Sequence, residues 1–320
     1  MSIKAGIIGG AGYTAGELLR LLLWHPEVEL DYVHSRSQAD KAISDIHSDL
    51  LGETALHFSA EPHFEVEVLF LCLGHGHSKQ FMEEYEVPKA VKVIDLSQDY
   101  RLANKAFVYG LPELNRPFLQ KSNRIANCGC FATAIQLALL PLAAAGQLQN
   151  DIHIHAITGA TGAGVRPAAT THFSWRNNNV SVYKAFRHQH LAEITQSLQQ
   201  VQPDFQAQLH FVPIRGNFAR GILASLYTDT QLSEKELMDC YTDYYQGEAF
   251  IQISPHNPHL KQVVNTNKCL IYPQWIEGKA HLISLIDNLL KGASGQAVQN
   301  MNIAFGFPET LGLQLKAMAY

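Results

Sequence analysis

Short apolar runs alternate with longer amphipathic runs along the first part of the chain. KAGIIG, residues 4–9, predicts a strand, and ELLRLLLWH, residues 17–25, predicts a helix because its apolar residues recur at helical spacing. Residues 28–35 predict a second strand. Two later runs, EVEVLFLCLG and AVKVIDLS, are almost continuously apolar. Such runs are typical of strands buried on both faces of a parallel sheet.

The pattern changes in the second part of the chain. Residues 131–146 predict a helix that ends at Gly146. Beyond it, fewer helices separate the predicted strands, which are DIHIHAITGA, AQLHFVPI, GILASLYT and HLISLIDN. This favours a second, α+β domain with a largely antiparallel sheet. A last predicted helix, within residues 288–306, is far along the chain from the first domain but could return to pack on it.

A glycine-rich turn separates the first predicted strand from the first helix. Such a turn exposes backbone amides at the positive end of a helix, where a pyrophosphate binds, so we predict an α/β fold with a Rossmann-type nucleotide-binding domain. A tight turn without a ligand is the alternative. We assign cofactor binding here to Gly9, Gly10, Gly12, Tyr13 and Thr14.

The end of the second predicted strand indicates which dinucleotide binds. An acidic residue there would bind the ribose hydroxyls of NAD, whereas a basic residue accommodates the 2′-phosphate of NADP. The chain has Ser35, Arg36 and Ser37 at this place. A guanidinium between two hydroxyls suits a phosphate monoester, so we predict NADP(H). The alternative is that Arg36 is an ordinary loop arginine.

Composition and charge exclude several classes of protein. The chain has 320 residues and a formal net charge of −5, which is not the basic balance of a nucleic-acid-binding protein. Neither an apolar signal segment nor a membrane-spanning run is present in the sequence. We therefore expect a cytoplasmic protein of two domains that binds neither nucleic acid nor membrane.

Two cysteines flank a glycine in the segment NCGCFAT, residues 127–133. A disulfide between Cys128 and Cys130 would close a strained ring, and zinc would require a second, spaced pair of ligands. Cys130 begins the predicted helix, and a helix amino terminus lowers the pKa of a thiol. We therefore predict that Cys130 is a nucleophile and that Cys128 is not, although a buried, inert cysteine is the alternative.

Histidines offer a general acid or base. Three His-x-His pairs are present: His75/His77, His153/His155 and His188/His190. Two imidazoles on one face of a strand make a metal site a rival hypothesis, but the other ligands of such a site are missing from the pattern, so we expect none. The third pair lies at the start of a predicted helix and is the best source of an acid or base.

The chain resembles the N-acetyl-gamma-glutamyl-phosphate reductases, which are related to aspartate-semialdehyde dehydrogenase. The resemblance runs almost from end to end. Its motifs here are GIIGGAGYTAGELLRLL, HSRSQADK, VIDLSQDYRL, YGLPELN, NCGCFAT, TGAGVRP, YKAFRHQHLAEI, ARGILASLY and IDNLLKGASGQAVQNMN.

This resemblance implies roles for particular residues. Cys130 matches the family's nucleophile and His190 its acid/base. The segment that contains Gly295 returns to the nucleotide domain near the nicotinamide. Arg101, Asn127, Tyr183 and Arg220 are the substrate-binding candidates. Arginine pairs bidentately with carboxylate and phosphate, but either Arg101 or Arg220 could instead be a structural ion-pair arginine.

The resemblance also implies an activity and an assembly. An acyl phosphate, N-acetyl-gamma-glutamyl phosphate, would be reduced by NADPH through a thioester on the cysteine to N-acetylglutamate 5-semialdehyde and phosphate, in arginine biosynthesis. The nucleotide domain would comprise residues 1–129 and 291–320, and the catalytic and oligomerisation domain residues 130–290. The second domain's sheet would make the contacts of a homodimer or homotetramer.

Differences from the family cluster near the substrate. Cys128 replaces a proline of the family's motif, Phe131 a tyrosine and Ala132 a second proline, and PIRGNFARGIL contains extra residues before Arg220. The N-acyl group could therefore be succinyl, or the glutamyl phosphate could be linked to a carrier. Three other classes stay open: an aspartate-semialdehyde-type dehydrogenase, an oxidising aldehyde dehydrogenase, and an NADPH-binding redox sensor without catalysis.

Overall fold

The computed structural model describes residues 2–103 and 106–318. The predicted domain limits at residues 1 and 320 lie outside them. The chain divides into two compact units: unit 1 comprises Met1–Gly129 and Ala293–Gln314, and unit 2 comprises Cys130–Gly292 and Leu315–Tyr320. The predicted return to the first domain at Lys291 therefore falls at Ala293 in the structure. Residues 315–318 group with unit 2, in which Asn265 Nδ2 donates to the Lys316 carbonyl at 3.2 Å.

Unit 1 is built on a parallel sheet. Its strands are β1 (Ile3–Ile8), β2 (Val28–His34), β3 (Phe58–Ser59), β4 (Val68–Leu71), β5 (Lys92–Asp95), β6 (Val108–Gly110) and β7 (Arg124–Asn127). They run in the spatial order β3-β2-β1-β4-β5-β7-β6, and every adjacent pair is parallel. All four residues of β4 are buried, as its continuous apolar sequence predicts.

The helices of unit 1 are α1 (Tyr13–Leu22), α2 (His77–Glu84), α3 (Pro112–Leu119) and α8 (Ser294–Phe305). Five side chains of α1 are buried, and their spacing is that of an amphipathic helix. Helix α8 packs on α1 and α3. It begins at Ser294, later than the predicted start near residue 288.

Unit 2 contains a mixed sheet. Its strands are β8 (Ile152–Thr158), β9 (Ser181–Val182), β10 (Leu209–Arg215), β11 (Ile222–Asp229), β12 (Ile251–Ile253), β13 (Cys269–Ile276) and β14 (Lys279–Ile286). The spatial order is β12-β13-β14-β11-β8-β10-β9. The pairs β10/β8 and β12/β13 are parallel, and the other four are antiparallel.

The helices of unit 2 are α4 (Cys130–Ala144), α5 (Phe173–Arg176), α6 (His190–Val201) and α7 (Glu234–Tyr244). Helix α4 is buried on all sides from Phe131 to Ala143 and packs on α6, α7, β11 and β14, which explains its unbroken apolar sequence. Strands β8, β11 and β13 alternate buried with more accessible positions, so one face of this sheet carries the core.

No helix in residues 2–103 and 106–318 is long and apolar enough to cross a membrane.

Candidate active site

Cys130 is the first residue of α4 and is partly exposed. The first amides of a helix have no partner within it, and the aligned peptide dipoles leave a partial positive charge at this end. The first turn of α4 contains no acidic residue that would offset this charge. A thiolate at Cys130 is therefore favoured by its position, as the sequence predicts.

Buried polar contacts within unit 1 hold the segment that precedes Cys130. The Asn127 side chain donates to the Ala293 carbonyl at 3.0 Å and accepts from Asn300 Nδ2 at 2.9 Å. Arg101 Nε donates to the Asn127 carbonyl at 2.9 Å, and its Nη2 donates to the Leu96 carbonyl at 2.9 Å. Arg101 and Asn127, which the sequence predicts to bind substrate, therefore fix the backbone just before Cys130 through these hydrogen bonds.

Cys128 lies in a different environment from Cys130. Its side chain is buried and its thiol lies 3.5 Å from the Gly110 carbonyl, to which it donates. Gln296 Nε2 donates to the Cys128 sulfur. Because these contacts place the thiol in the interior of unit 1, before α4 begins, Cys128 lacks the favourable helix end. All five cysteines are thiols, and none is bridged to another.

One aromatic ring, that of Phe131, lies between the start of α4 and two histidines of unit 2. The Phe131 ring, next to Cys130, meets the His188 ring edge-on at 5.5 Å between centroids and the His190 ring at 6.3 Å. The two imidazoles are 4.5 Å apart. The residue that follows the predicted nucleophile is therefore in ring contact with the predicted acid/base.

The two histidines differ in their surroundings. Burial, reinforced by the charges of Lys184 and Arg215, lowers the pKa of His188 from 6.5 to about 4. His188 is therefore neutral near pH 7, and its Nδ1 accepts the backbone N–H of His190 at 3.3 Å. His188 thus holds the first residue of α6 in place.

His190 has a carboxylate beside it. Its Nε2 lies 3.7 Å from Glu193 Oε1, and both side chains are less than one-tenth exposed. The separation of three residues puts both on one face of α6, a signal that the sequence contained and that we did not assign to the site. A carboxylate beside an imidazole orients the ring and stabilises its protonated form.

Tyr183 and Arg215 form the other side of this group. The Arg215 guanidinium carbon lies 4.5 Å from the centre of the Tyr183 ring, and that ring meets His188 edge-on at 5.9 Å. Burial, followed by the nearby Cys130, raises the pKa of Tyr183 to about 12, so its hydroxyl stays protonated. We refer to Cys130, Phe131, Tyr183, His188, His190, Glu193 and Arg215 as the Cys130 cluster.

Arg220 is anchored elsewhere in unit 2. Its Nε donates to Asp287 Oδ2 at 3.1 Å, and Asp287 is fully buried. The same carboxylate accepts the N–H groups of Asn265, Leu289 and Leu290. Arg220 thus takes part in the structural ion pair that the sequence left open as an alternative to substrate binding.

Gly292 is a further residue that sequence reasoning missed. A Cβ built on it would lie 2.8 Å from the Cys130 Cβ and 2.7 Å from the Asn288 carbonyl oxygen. A side chain at residue 292 would therefore crowd the nucleophile. Only a glycine allows this close approach of the backbone.

The glycine turn, residues 9–12, fits a dinucleotide in unit 1. Gly9 has φ +85°, and a Cβ there would lie 2.8 Å from the Cys72 carbonyl oxygen. A Cβ on Gly10 would lie 2.3 Å from Val33, whereas one on Gly12 would meet nothing within 4 Å. The turn is therefore tight on its inner side and open in front of α1.

The start of α1 is also uncapped. Its N-cap, Gly12, has no side chain that could accept a hydrogen bond from the first amides, and the first turn has no acidic residue. Tyr13 and Thr14 begin the helix, with the Tyr13 side chain 42% exposed. Open amides at a positive helix end match the needs of a pyrophosphate.

Helix α8 approaches the same place from the other end of the chain. The Ser294 hydroxyl donates to the Thr14 carbonyl at 2.7 Å. Gly295 is the next residue and is buried. The structure thus brings Gly295 close to the start of α1 within unit 1.

Arg36 lies directly after β2 with an exposed guanidinium. Its Nη2 donates to Glu84 Oε1 at 2.8 Å and to the Tyr85 hydroxyl at 2.7 Å. Ser35 is buried, and Ser37 is exposed. A 2′-phosphate would therefore compete with Glu84 for the guanidinium.

The three His-x-His pairs do not assemble into metal sites. Within residues 2–103 and 106–318, no group of three or more His, Cys, Asp or Glu side chains could hold a metal ion. His153 instead stacks on His210 and Tyr227, with ring centres 5.0 and 4.8 Å apart.

Comparisons with known proteins identify both parts of the chain. Residues 4–122 match the family described as "Semialdehyde dehydrogenase, NAD binding domain". Residues 130–288 match "Semialdehyde dehydrogenase, dimerisation domain".

Solved structures share the fold. Aspartate semialdehyde dehydrogenase II from Vibrio cholerae, complexed with ASA, has a TM-score of 0.74 at 16% identity, covering 96% of this chain and 99% of that one. The enzyme from Candida albicans with NADP has a TM-score of 0.72 at 15% identity, covering 95% and 98%. The chain therefore has an α/β Rossmann-type domain and a dimerisation domain with a mixed, largely antiparallel sheet, as predicted.

Relatives in sequence are much closer. A protein of Parabacteroides distasonis named N-acetyl-gamma-glutamyl-phosphate reductase is 56% identical over 99% of this chain and 100% of its own length. Proteins of the same name from Bacteroides thetaiotaomicron and Flavobacterium johnsoniae are 55% and 53% identical, again over 99% of this chain and 100% of theirs. The chain belongs to the N-acetyl-gamma-glutamyl-phosphate reductase family of the semialdehyde dehydrogenases.

Proposed function

We propose that this protein reduces N-acetyl-gamma-glutamyl phosphate to N-acetylglutamate 5-semialdehyde and phosphate, a reaction of arginine biosynthesis. The observation that carries the proposal is the presence of Cys130 at the start of α4 in the unit that also contains the His190–Glu193 pair. The names of relatives that match over almost the whole length support it.

The cofactor is NADP(H), and unit 1 is its binding domain. The glycine turn and the uncapped start of α1 would hold the pyrophosphate, with Arg36 at the adenosine 2′-phosphate. Ser35 and Ser37 flank this arginine, and Gly295 lies near the first turn of α1. When bound, NADPH supplies the hydride that reduces the acyl group.

Cys130 begins the chemistry as a nucleophile. Its sulfur attacks the carbonyl carbon of the acyl phosphate, so a carbon–sulfur bond forms. The bond from that carbon to the phosphate oxygen breaks, and phosphate leaves with the bonding electron pair. The positive end of α4 stabilises the thiolate that makes this attack.

His190 moves the proton in this scheme. It accepts the thiol proton when the thiolate forms, and Glu193 stabilises the resulting imidazolium. Reduction of the thioester gives a hemithioacetal on Cys130, to whose oxygen His190 returns the proton. On collapse, His190 takes this proton back, the carbon–sulfur bond breaks, and the aldehyde and the thiolate are released.

The N-acyl group is a second question about the same reaction. Phe131 and Ala132 differ from the family's motif, and both lie in the first turn of α4 beside the nucleophile. These differences favour testing N-succinylglutamyl phosphate, or a carrier-linked glutamyl phosphate, as the alternative substrate.

The second domain is also the proposed site of contact between subunits. We propose that it forms a homodimer or a homotetramer, since residues 130–288 match a dimerisation domain. The more accessible face of its sheet is the surface for this contact. Sedimentation velocity on the purified protein measures the assembly, and a monomer at micromolar concentration would contradict this part of the proposal.

The reaction itself is tested in the reverse direction. N-acetylglutamate 5-semialdehyde, phosphate and NADP⁺ are mixed with the protein, and the absorbance of NADPH is followed. We expect activity that requires phosphate. An oxidising aldehyde dehydrogenase would not need phosphate, and a redox sensor would show no turnover.

The same assay with aspartate 4-semialdehyde tests the aspartate-type alternative. We expect a much lower kcat/KM for it than for the N-acylated substrate. A preference for aspartate semialdehyde would overturn the proposed substrate but not the reaction class.

A further inference from the structure

Arg215 lies in the Cys130 cluster without an acidic partner. It is the last residue of β10, and its guanidinium stacks on the Tyr183 ring. No carboxylate in residues 2–103 and 106–318 forms an ion pair with it, and its buried Nε has no hydrogen-bond partner there. Arg220, which follows in the next loop, is by contrast paired with Asp287.

The surroundings add positive charge. Lys184 and Arg215 both act on His188 by electrostatic repulsion of its charged form. Arg176 lies beside them and donates to the Arg215 carbonyl at 2.8 Å, while its other bonds go to main-chain carbonyls and the Ser181 hydroxyl. Three cations, those of Lys184, Arg215 and Arg176, are therefore close together, and no carboxylate in the described residues 2–103 and 106–318 forms an ion pair with any of them. Such a group of like charges is costly in a partly buried place unless an anion arrives.

A continuous set of contacts connects this charge to the nucleophile. Phe131 follows Cys130 and touches His188, His188 touches Tyr183, and the Tyr183 ring carries the Arg215 guanidinium. Arg215 also lies in the segment of residues 213–220, for which the sequence resemblance predicts extra residues. Arg215 is therefore connected through side-chain contacts to the residue next to Cys130, which the motifs alone do not reveal.

We propose that Arg215 binds a carboxylate of the substrate. A guanidinium can hold a carboxylate through two parallel hydrogen bonds, and the Tyr183 ring keeps the side chain in place for it. This inference rests on the proposed function and specifies how its substrate is recognised. The carboxylate has two possible sources, which share this chemistry: the α-carboxylate of the glutamyl group, or the terminal carboxylate of a dicarboxylic N-acyl group such as succinyl.

The test compares two substrates in the reverse assay, N-acetyl- and N-succinylglutamate 5-semialdehyde, with the wild-type protein, Arg215→Gln and Arg215→Lys. We expect Arg215→Gln to lower kcat/KM by about 10- to 100-fold through a higher KM for the semialdehyde, since a charged hydrogen bond is lost. Arg215→Lys keeps the positive charge but lacks the two parallel N–H donors of a guanidinium. We therefore expect a smaller loss of kcat/KM for Arg215→Lys than for Arg215→Gln. Lys235→Gln is the control, because it removes one positive charge from an exposed position on α7.

The comparison of the N-acetyl and N-succinyl substrates shows which of the two carboxylates Arg215 binds. An equal loss with both substrates assigns Arg215 to the α-carboxylate, and a loss confined to the N-succinyl compound assigns it to the acyl carboxylate; either supports the proposal. An unchanged KM for the semialdehyde in both arms, or a rise only in the KM for phosphate, overturns it.

Two further measurements keep the outcomes separate. If the wild-type protein turns over neither compound, the proposed function fails, whatever the variants do. If Arg215→Gln does not fold by circular dichroism, Arg215→Lys decides the question, and kinetics equal to the wild type in both arms would then overturn the proposal.

Discussion

In the proposed function, the glycine turn of unit 1 and the Cys130 cluster of unit 2 would bind their ligands in opposite ways. In the glycine turn, missing side chains leave the start of α1 open, and the backbone amides would provide the binding groups. In the Cys130 cluster, side chains would supply the nucleophile, the proton carrier and the positive charge. A side chain added to a glycine of the turn should therefore weaken cofactor binding, and a functional group removed from the Cys130 cluster should lower the catalytic rate.

Removal of the nucleophile should have the largest effect. We expect Cys130→Ser to lower kcat by at least about 10⁴-fold, because a serine hydroxyl is a far poorer nucleophile than a thiolate at this pH. Cys128→Ala, which removes the buried thiol, should keep kcat within about tenfold of the wild type. Steady-state kinetics measures both, and the reverse pattern would mean that the nucleophile is misassigned.

Removal of the proton carrier should come next. His190→Gln is expected to lower kcat by about 10²- to 10⁴-fold, the usual contribution of a general acid and base. His188→Asn keeps an acceptor for the His190 N–H and should cost much less in kcat. Equal losses in the two variants would contradict the separate roles of these histidines.

Adding one methyl group to the glycine turn should damage the first site. Gly9→Ala places a Cβ against the Cys72 carbonyl at φ +85°, and we expect it to destabilise the fold by about 1–3 kcal/mol. The KM for NADPH should rise with it. Gly52→Ala, also at positive φ but with nothing within 4 Å, is the matched control for backbone strain alone. Similar losses in both would show that crowding at the turn is unimportant.

The pH dependence of stability should reveal the buried imidazole. The folded pKa of His188, about 4, lies below its unfolded value of 6.5, so the unfolded chain binds a proton first as the pH falls. Stability from this residue is complete above pH 6.5 and is lost as the pH falls toward 4. By pH 5 the wild type should lose about 2 kcal/mol relative to His188→Asn.

Denaturant titrations of both proteins at pH 7 and pH 5 measure this difference. Parallel changes in the free energy of unfolding would mean that His188 is charged in the folded protein.

The smallest expected effect concerns the ion pair of Arg36 and Glu84, where we propose that the cofactor's 2′-phosphate binds. Glu84→Gln removes the competitor for Arg36, so the KM for NADPH should fall by less than about fivefold, as is usual for an exposed pair. Arg36→Gln should raise the KM for NADPH and leave that for NADH nearly unchanged. A similar change for both nucleotides would remove Arg36 from the phosphate site.

The parts of the fold that could be predicted are those with strong local periodicity. Strand β1, helix α1 and the buried strand β4 follow directly from their apolar patterns. The two-residue strands β3 and β9 were not predicted, since pairing with a neighbouring strand defines them rather than their own sequence. The start of α8 was placed too early because residues 288–293, although apolar in part, form the turn that Asp287 holds.

In the candidate site, too, some residues could be predicted from local sequence and others only from the folded chain. Cys130 and His190 lie at helix starts, which a sequence reveals. Arg215 and Gly292 acquire their significance from contacts between residues far apart in the chain, with Tyr183 and Cys130 respectively. The ion pairs of Arg36 and Arg220 are likewise properties of the folded chain alone.

The hydrogen bond from Asn127 to the Ala293 carbonyl bears on whether unit 2 could be deleted from the chain. It joins the point where the chain leaves unit 1 to the point where it returns, so these two points are neighbours in space. Everything between them is one contiguous insertion into unit 1. We expect that a linker of a few residues in place of 130–292 would be long enough to join the two ends of unit 1.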